Sequence, residues 1–315
     1  MAELRVRVAR RWQAAADVAA FSLVATAGSL PMASAGAHVE VHVPGGHFRH
    51  YSLINAPGEI DAYIIGVKLE LNSRGGSRAV HELLKEGDEI TISTPRNNFA
   101  LVPADHSLLL AGGIGVTPLV AMARQLHASA ASFALHYFAR SAEHIAFRDI
   151  LDRLGDRVSY HPGLDGAATG AELERLLRDP KPRNHAYICG PGPMMDAALT
   201  TAKRLGWPSS SLHVEYFTVE IDKLLPNRPF QVRLARGNRT FEVPANKSML
   251  EAIRDNGVDL ESSCEQGICG TCFTKVLEGT PDHRDVFLTD EERAGGTCVM
   301  PCISRAKSDL LVLDL

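Results

Sequence analysis

Nothing in this chain of 315 residues stays apolar long enough to cross a bilayer. The uncharged run Ser107 to Ala123 has seventeen residues broken by three glycines and a proline, against about 20 mostly apolar residues for a span. A long basic run is also missing, and the net charge is −4, so nucleic acid is not an expected partner. The opening MAELRVRVARRWQ carries charge throughout and has no apolar h-region, so no secretory signal is expected. Cysteine is scarce, six residues in all. Four of these fall into one constellation, which leaves no disulfide framework and points to a reducing cytoplasm. What remains is an ordinary globular composition, 45% hydrophobic and 22% charged, at a length that allows two or three domains.

The constellation is Cys264-x4-Cys269-x2-Cys272 in CEQGICGTC, with Cys302 following after a gap of twenty-nine residues. Cys-x4-Cys-x2-Cys followed by a distant cysteine is the plant-type spacing for a 2Fe–2S cluster, whose irons take soft thiolate donors. Gly267 and Gly270 suit a tight loop that turns its amides toward sulfur. Structural zinc usually shows two Cys-x2–4-Cys knuckles, whereas here three thiols crowd together and the fourth stands alone. Cys298 would also serve as the fourth by spacing, with a gap of twenty-five. The stretch resembles the plant-type ferredoxin module, and that resemblance implies Cys302, with Cys298 a bystander.

Residues 1–103 read as short strands with period-two alternation (LRVRVARR, FSLVAT, HVEVHVP, HYSLIN, YIIGVKLE, DEITISTP) and one helix, AVHELLKEG, at 79–87. Such spacing predicts an antiparallel β-barrel. Within it, RHYSL holds Arg49, Tyr51 and Ser52, and SRGGSR places Gly76 and Ser77 just before the helix, a pairing of guanidinium and helix N-terminus that suits a phosphate. From 104 to 222 strands and helices alternate, which predicts an α/β parallel sheet that binds ligand at its strand C-termini. Its first turn, AGGIGVTP, sets Gly113, Gly115 and Pro118 where the dinucleotide fingerprint has three glycines, with Thr117 as the expected helix cap. FALHYFARS is the second strand, ending at Arg140, and a helix is expected after it to about Leu154. HAYICGPGPM puts Cys189 and Gly190 at a later strand end, where Cys189 is expected to touch a cofactor. KLLPNRP, 223–229, reads as a linker. Residues 230–315 carry a hairpin, two capping boxes (Ser248 with Glu251, Thr289 with Glu292), the cysteine loop and an apolar closing strand, which fits a β-grasp ferredoxin domain.

RHYSL and the GGS string resemble flavoprotein reductases of the ferredoxin-NADP reductase superfamily. Taken with AGGIGVTP, CGPGPMM, CEQGICGTC and PDHRD…LTDEE…SRAKS, the whole chain resembles the phthalate dioxygenase reductase family, and within it the vanillate O-demethylase reductases. The resemblance implies a cytoplasmic oxygenase reductase that takes electrons from NADH through FMN and a 2Fe–2S cluster to a Rieske-type terminal oxygenase. By the same likeness Arg49, Tyr51, Ser52, Gly76 and Ser77 hold FMN, and Gly113, Gly115, Thr117, Cys189 and Gly190 face the dinucleotide. Phe217 covers the flavin ring, and with Cys189 it forms the catalytic pair. NADH is favoured by the likeness alone, because Arg140 and Ser141 could clamp a 2′-phosphate and only Glu143 offers an acid nearby. The rival readings are a simple electron carrier, which leaves RHYSL and the glycine turns unexplained, and a reductase for another acceptor such as a diiron hydroxylase or cytochrome. Reductases of diiron hydroxylases mostly place the ferredoxin module first.

Overall fold

A computed structural model describes residues 3–43, 47–70, 76–217, 227–262 and 264–315. The chain divides into two compact units, Met1–Glu215 and Tyr216–Leu315. The expected boundary at 222 and linker residues 223–226 lie outside the described residues, as do 73–75 of the SRGGSR string.

The first unit opens with β1 (Glu3–Ala15), β2 (Val18–Ala25), β3 (His38–Val43), β4 (His47–Ser52), β5 (Tyr63–Lys68), the helix α1 (Gly76–Leu83) and β6 (Glu89–Ser93). These strands form one antiparallel sheet in the order β4-β3-β6-β1-β2-β5. A bridge between Leu53 and Ile65 ties the end of β4 to β5 and closes the barrel. The alternation in the sequence is what closes it. Val6 and Val8 on β1 point inward and are fully buried, as are Phe21 and Leu23 on β2. Each such side chain contributes roughly 1.5–3 kcal/mol on leaving water. Helix α1 starts at Gly76, three residues before the expected start, and sends Val80 into the barrel core.

The same unit continues with β7 (His106–Gly112), α2 (Val116–Ala128), β8 (Phe133–Ala139), α3 (Arg148–Leu151), β9 (Val158–Pro162), α4 (Gly166–Leu177), β10 (Asn184–Cys189), α5 (Gly192–Arg204) and β11 (Leu212–Glu215). All five strands run parallel in the order β11-β10-β7-β8-β9. The helix expected after β8 is broken instead into the single turn of α3 with 3₁₀ turns on either side. Two contacts explain the break. The Tyr137 hydroxyl accepts the Ala146 N–H at 3.1 Å, and Phe147, held at φ 57°, buries its ring beside Gly66 of β5.

The second unit contains β12 (Phe230–Leu234), β13 (Arg239–Val243), α6 (Met249–Asp255), β14 (Thr274–Glu278), β15 (Pro281–Asp282), α7 (Asp290–Gly295), β16 (Cys298–Val299), β17 (Arg305–Ala306) and β18 (Leu310–Leu313). Its main sheet runs β13-β12-β18-β14-β16, with the closing strand β18 parallel to β12 at the centre. Both capping boxes form, at the starts of α6 and α7. Among the described residues no helix is long and apolar enough to cross a membrane.

Candidate active site

The barrel brings Arg49 and Gly76 together. A Cβ on Gly76 would lie 2.3 Å from Arg49 Nε, so the guanidinium rests directly on the first residue of α1. Arg49 Nη1 donates to the Phe48 carbonyl at 2.7 Å, which aims the fork. A planar cation at a helix N-terminus suits a phosphate group, and only glycine at position 76 leaves room for it. Ser77 is the second residue of that helix, and its hydroxyl accepts the Glu70 N–H at 3.1 Å. Tyr51 lies on the same strand as Arg49, with burial holding its phenol well above the usual range.

Ser52, at the end of β4, is buried and hydrogen-bonds the carboxyl of Glu215. Burial pushes Glu215 up to about 8, and its Oε2 has no hydrogen-bond partner among the described residues. Cys189 is the register neighbour of Glu215 across β10 and β11. It is fully buried, and burial together with the facing carboxyl pushes its thiol up. Glu215 therefore joins Ser52 to Cys189, and the sequence reading passed over it. The available signal was a lone acid inside the apolar strand LHVEYF.

At the strand C-termini a cavity of about 390 Å³ is lined by Asp17, Lys68, Gly113, Arg140, His161 and Met194 among others. The turn between β7 and α2 forms its floor, with Gly113 at φ 52°. Gly115 lies behind, packed so tightly on β10 that a Cβ would sit 2.3 Å from the Cys189 carbonyl oxygen. Gly190 packs against Gly112 in the same manner. Thr117 does not cap α2. It is the helix's second residue, buried, and its hydroxyl donates to the Ile114 carbonyl at 3.0 Å because the helix begins two residues early, at Val116. Arg140 Nη2 donates to Asp17 Oδ2 at 3.2 Å. This acid, from the β1–β2 turn, was not among the residues singled out in the sequence. Phe217 is half-buried and falls in the second unit, beside the undescribed segment 218–226.

In the second unit the thiols sort into two touching pairs, Cys264 with Cys269 and Cys272 with Cys302. Two pairs match two irons with two thiolates each, whereas one zinc ion would draw all four sulfurs around a single centre. Backbone amides turn toward the sulfurs. The Gln266 N–H reaches Cys264 Sγ at 3.3 Å, and the amide of Gly267 faces Cys302. Gly267, at φ 72°, also lets the loop press against Ile303 and Asp285. Buried Asp285 accepts from Ser304 Oγ at 3.1 Å and from the Leu288 N–H at 2.9 Å, so the PDHRD loop braces the thiol loop. Cys298 is buried, and its sulfur lies 4.0 Å from the Glu292 carbonyl.

A phosphate cradle in a barrel, a dinucleotide-sized cavity and a pair of thiol pairs define a class, the nicotinamide-dependent flavin and iron–sulfur oxidoreductases. Residues 109–200 match the oxidoreductase NAD-binding domain, and residues 232–307 match the 2Fe-2S iron-sulfur cluster binding domain. The vanillate O-demethylase oxidoreductase of Pseudomonas putida is 45% identical over 312 residues, covering 98% of each chain. The oxidoreductase NdmD of Pseudomonas putida is 40% identical over 98% of this chain, which spans only 53% of NdmD's length. The solved structure of phthalate dioxygenase reductase, described as a modular structure for electron transfer from pyridine nucleotides to a 2Fe–2S centre, superposes with a TM-score of 0.79. It is 42% identical, over 99% of this chain and 98% of that one. The chain belongs to the phthalate dioxygenase reductase family. It is an oxidoreductase, and its cofactors are those of the family: FMN, a nicotinamide dinucleotide and a 2Fe–2S cluster.

Proposed function

We propose that this chain is the reductase component of a Rieske-type oxygenase system, accepting electrons from NADH and delivering them to a separate terminal oxygenase in the cytoplasm. The observation that carries the reading is the co-occurrence of the Arg49–Gly76 cradle, the dinucleotide cavity and the paired thiols in one chain. A nicotinamide yields electrons in pairs and an iron–sulfur cluster takes them singly, and bound FMN supplies the chemistry that converts one into the other. Every other part of the task falls to the protein. Arg49, with the Gly76 amide, holds the flavin phosphate, while Tyr51 and Ser52 orient the ring. Ser77 supports the helix start through Glu70. Glu215, raised to about 8 by burial, keeps its proton at neutral pH beside Ser52.

Gly113 admits the pyrophosphate, while Gly115 and Gly190 allow the close approach of strand and helix beneath it. Thr117, through Ile114, fixes the turn. Cys189 lines the strand end from within, and Phe217 covers the flavin ring. Arg140, at the end of the second strand, pairs with Asp17 in an exposed ion pair, and the family likeness favours NADH as reductant. Cys264, Cys269, Cys272 and Cys302 are the iron ligands. Anaerobic mixing with NADH tests the whole reading. The flavin absorbance bleaches first, the cluster absorbance follows, and addition of an oxygenase encoded beside the chain restores both. Bleaching of the flavin with a cluster that never responds would refute the proposal.

A further inference from the structure

We propose that His136, His161 and Glu172 form a binding site for a divalent transition metal of the zinc type, set in the wall of the dinucleotide cavity. His136 lies on β8, His161 on β9 and Glu172 on α4, and one ligand atom from each lies within 4.8 Å of the others. His136 Nδ1 and His161 Nε2 are 3.1 Å apart. Two imidazole nitrogens bound to one tetrahedral zinc at about 2.05 Å stand about 3.3 Å from each other, so the pair needs almost no movement to share an ion. A metal there takes the place of the proton the two rings now share. One oxygen of Glu172 comes within 4.8 Å of a nitrogen of each ring. Its contact at 3.8 Å is to His161 Nδ1, the edge away from the Nε2 that faces His136, so the carboxylate turns toward the Nε2 edge to complete a two-histidine, one-carboxylate set. That donor set suits zinc, nickel or copper, not the oxygen-seeking magnesium or calcium.

The rings are held for the purpose. His161 stacks on Phe138 with centroids 4.6 Å apart, and His136 is buried within the sheet. The one competitor is Arg175, which forks onto Glu172 at 2.6 and 2.9 Å. Its side chain is 59% exposed, so it can swing into water when an ion takes the carboxylate, at the cost of the two hydrogen bonds of the fork. A carboxylate also has lone pairs to spare beyond those that the fork uses. His161 and Phe138 both line the cavity, so an ion bound there stands against the dinucleotide. This second consequence rests on the cavity being the nicotinamide site, and the metal site itself does not.

Isothermal titration of the cofactor-loaded, full-length protein with zinc chloride tests the site, alongside His136→Asn and Glu172→Gln. Glu172 sits half-buried on a helix surface, so its variant is expected to fold even if the His136 variant does not. The expected result is one zinc per chain, weakened about tenfold or more in Glu172→Gln. Absence of zinc binding in the wild type, or unchanged affinity in Glu172→Gln, would overturn the site. With zinc present, the KM for NADH in flavin reduction should fall while kcat holds, because the ion adds positive charge beside an anionic dinucleotide. A KM that stays put while zinc binds would overturn the placement against the dinucleotide.

Discussion

The protonated state of Glu215 carries a stability cost that can be read directly. Its carboxyl is raised from an ordinary 4.5 to about 8 in the folded chain. Between those two values the folded protein holds a proton that the unfolded protein has released, so stability falls as pH rises through that window. The contribution is fully present below about 4.5 and is gone above about 8. The slope approaches 1.36 kcal/mol per pH unit, so moving from pH 5.5 to 7.5 should remove about 2–3 kcal/mol through this group alone. Glu215→Gln keeps the shape and cannot ionise, so its slope over the same range should be shallower by that amount. His38 and His136, each lowered to about 4 by burial, give slopes of the opposite sign, and comparing wild type with variant cancels them. Urea unfolding of the flavin-free protein, followed by tryptophan fluorescence, is the assay. Both tryptophans, Trp12 and Trp207, lie in the first unit, so the signal reports that unit only. Equal pH slopes in wild type and variant would refute the assignment of a buried, protonated carboxyl.

Three further outcomes are expected. Cys302→Ala should lose the visible 2Fe–2S spectrum and Cys298→Ala should keep it, and the reverse pattern would reassign the fourth ligand. Gly76→Ala should push Arg49 off the helix start and weaken FMN binding by about 10- to 100-fold, the worth of one charge-assisted hydrogen bond; its thermal stability should hold, and flavin released by heat should run as FMN, not FAD. Asp17→Asn should free Arg140 and raise kcat/KM for NADPH about tenfold, or about 1.4 kcal/mol, while an unchanged ratio of the two nicotinamides would show that the pair does not set the choice.

The parts of this protein that were legible in its sequence are those governed by near neighbours. Alternation in LRVRVARR fixes which residues of β1 face inward, and four thiols at given spacings limit the metal chemistry. Both capping boxes lie within three residues and appear as read. Illegible were features made by residues far apart in the chain. Asp17 meets Arg140 across 123 residues, and Glu215 meets Ser52 across the length of two sheets. The helix after β8 was misjudged for a related reason: its polar periodicity is real, but Phe147 is pulled into left-handed backbone by a seat on the barrel that local sequence does not contain. The cap at Thr117 failed more locally, since Gly115 can itself begin the turn and leaves the hydroxyl free to bond backwards.

That seat for Phe147 bears on how such chains are inherited and rebuilt. Its ring rests on Gly66, while Arg124 of α2 donates to the Ile54 carbonyl at 3.0 Å and to Glu59 of the loop before β5. The barrel and the parallel sheet are thus riveted to each other by side chains that neither could shed without exposing apolar surface or stranding a charge. The second unit has its own sheet, its own helices and its own core. A gene built from three segments consequently has one good splice point, after residue 215. Recombination there would exchange the iron–sulfur portion together with Phe217, whereas a cut near residue 103 would divide a single compact unit.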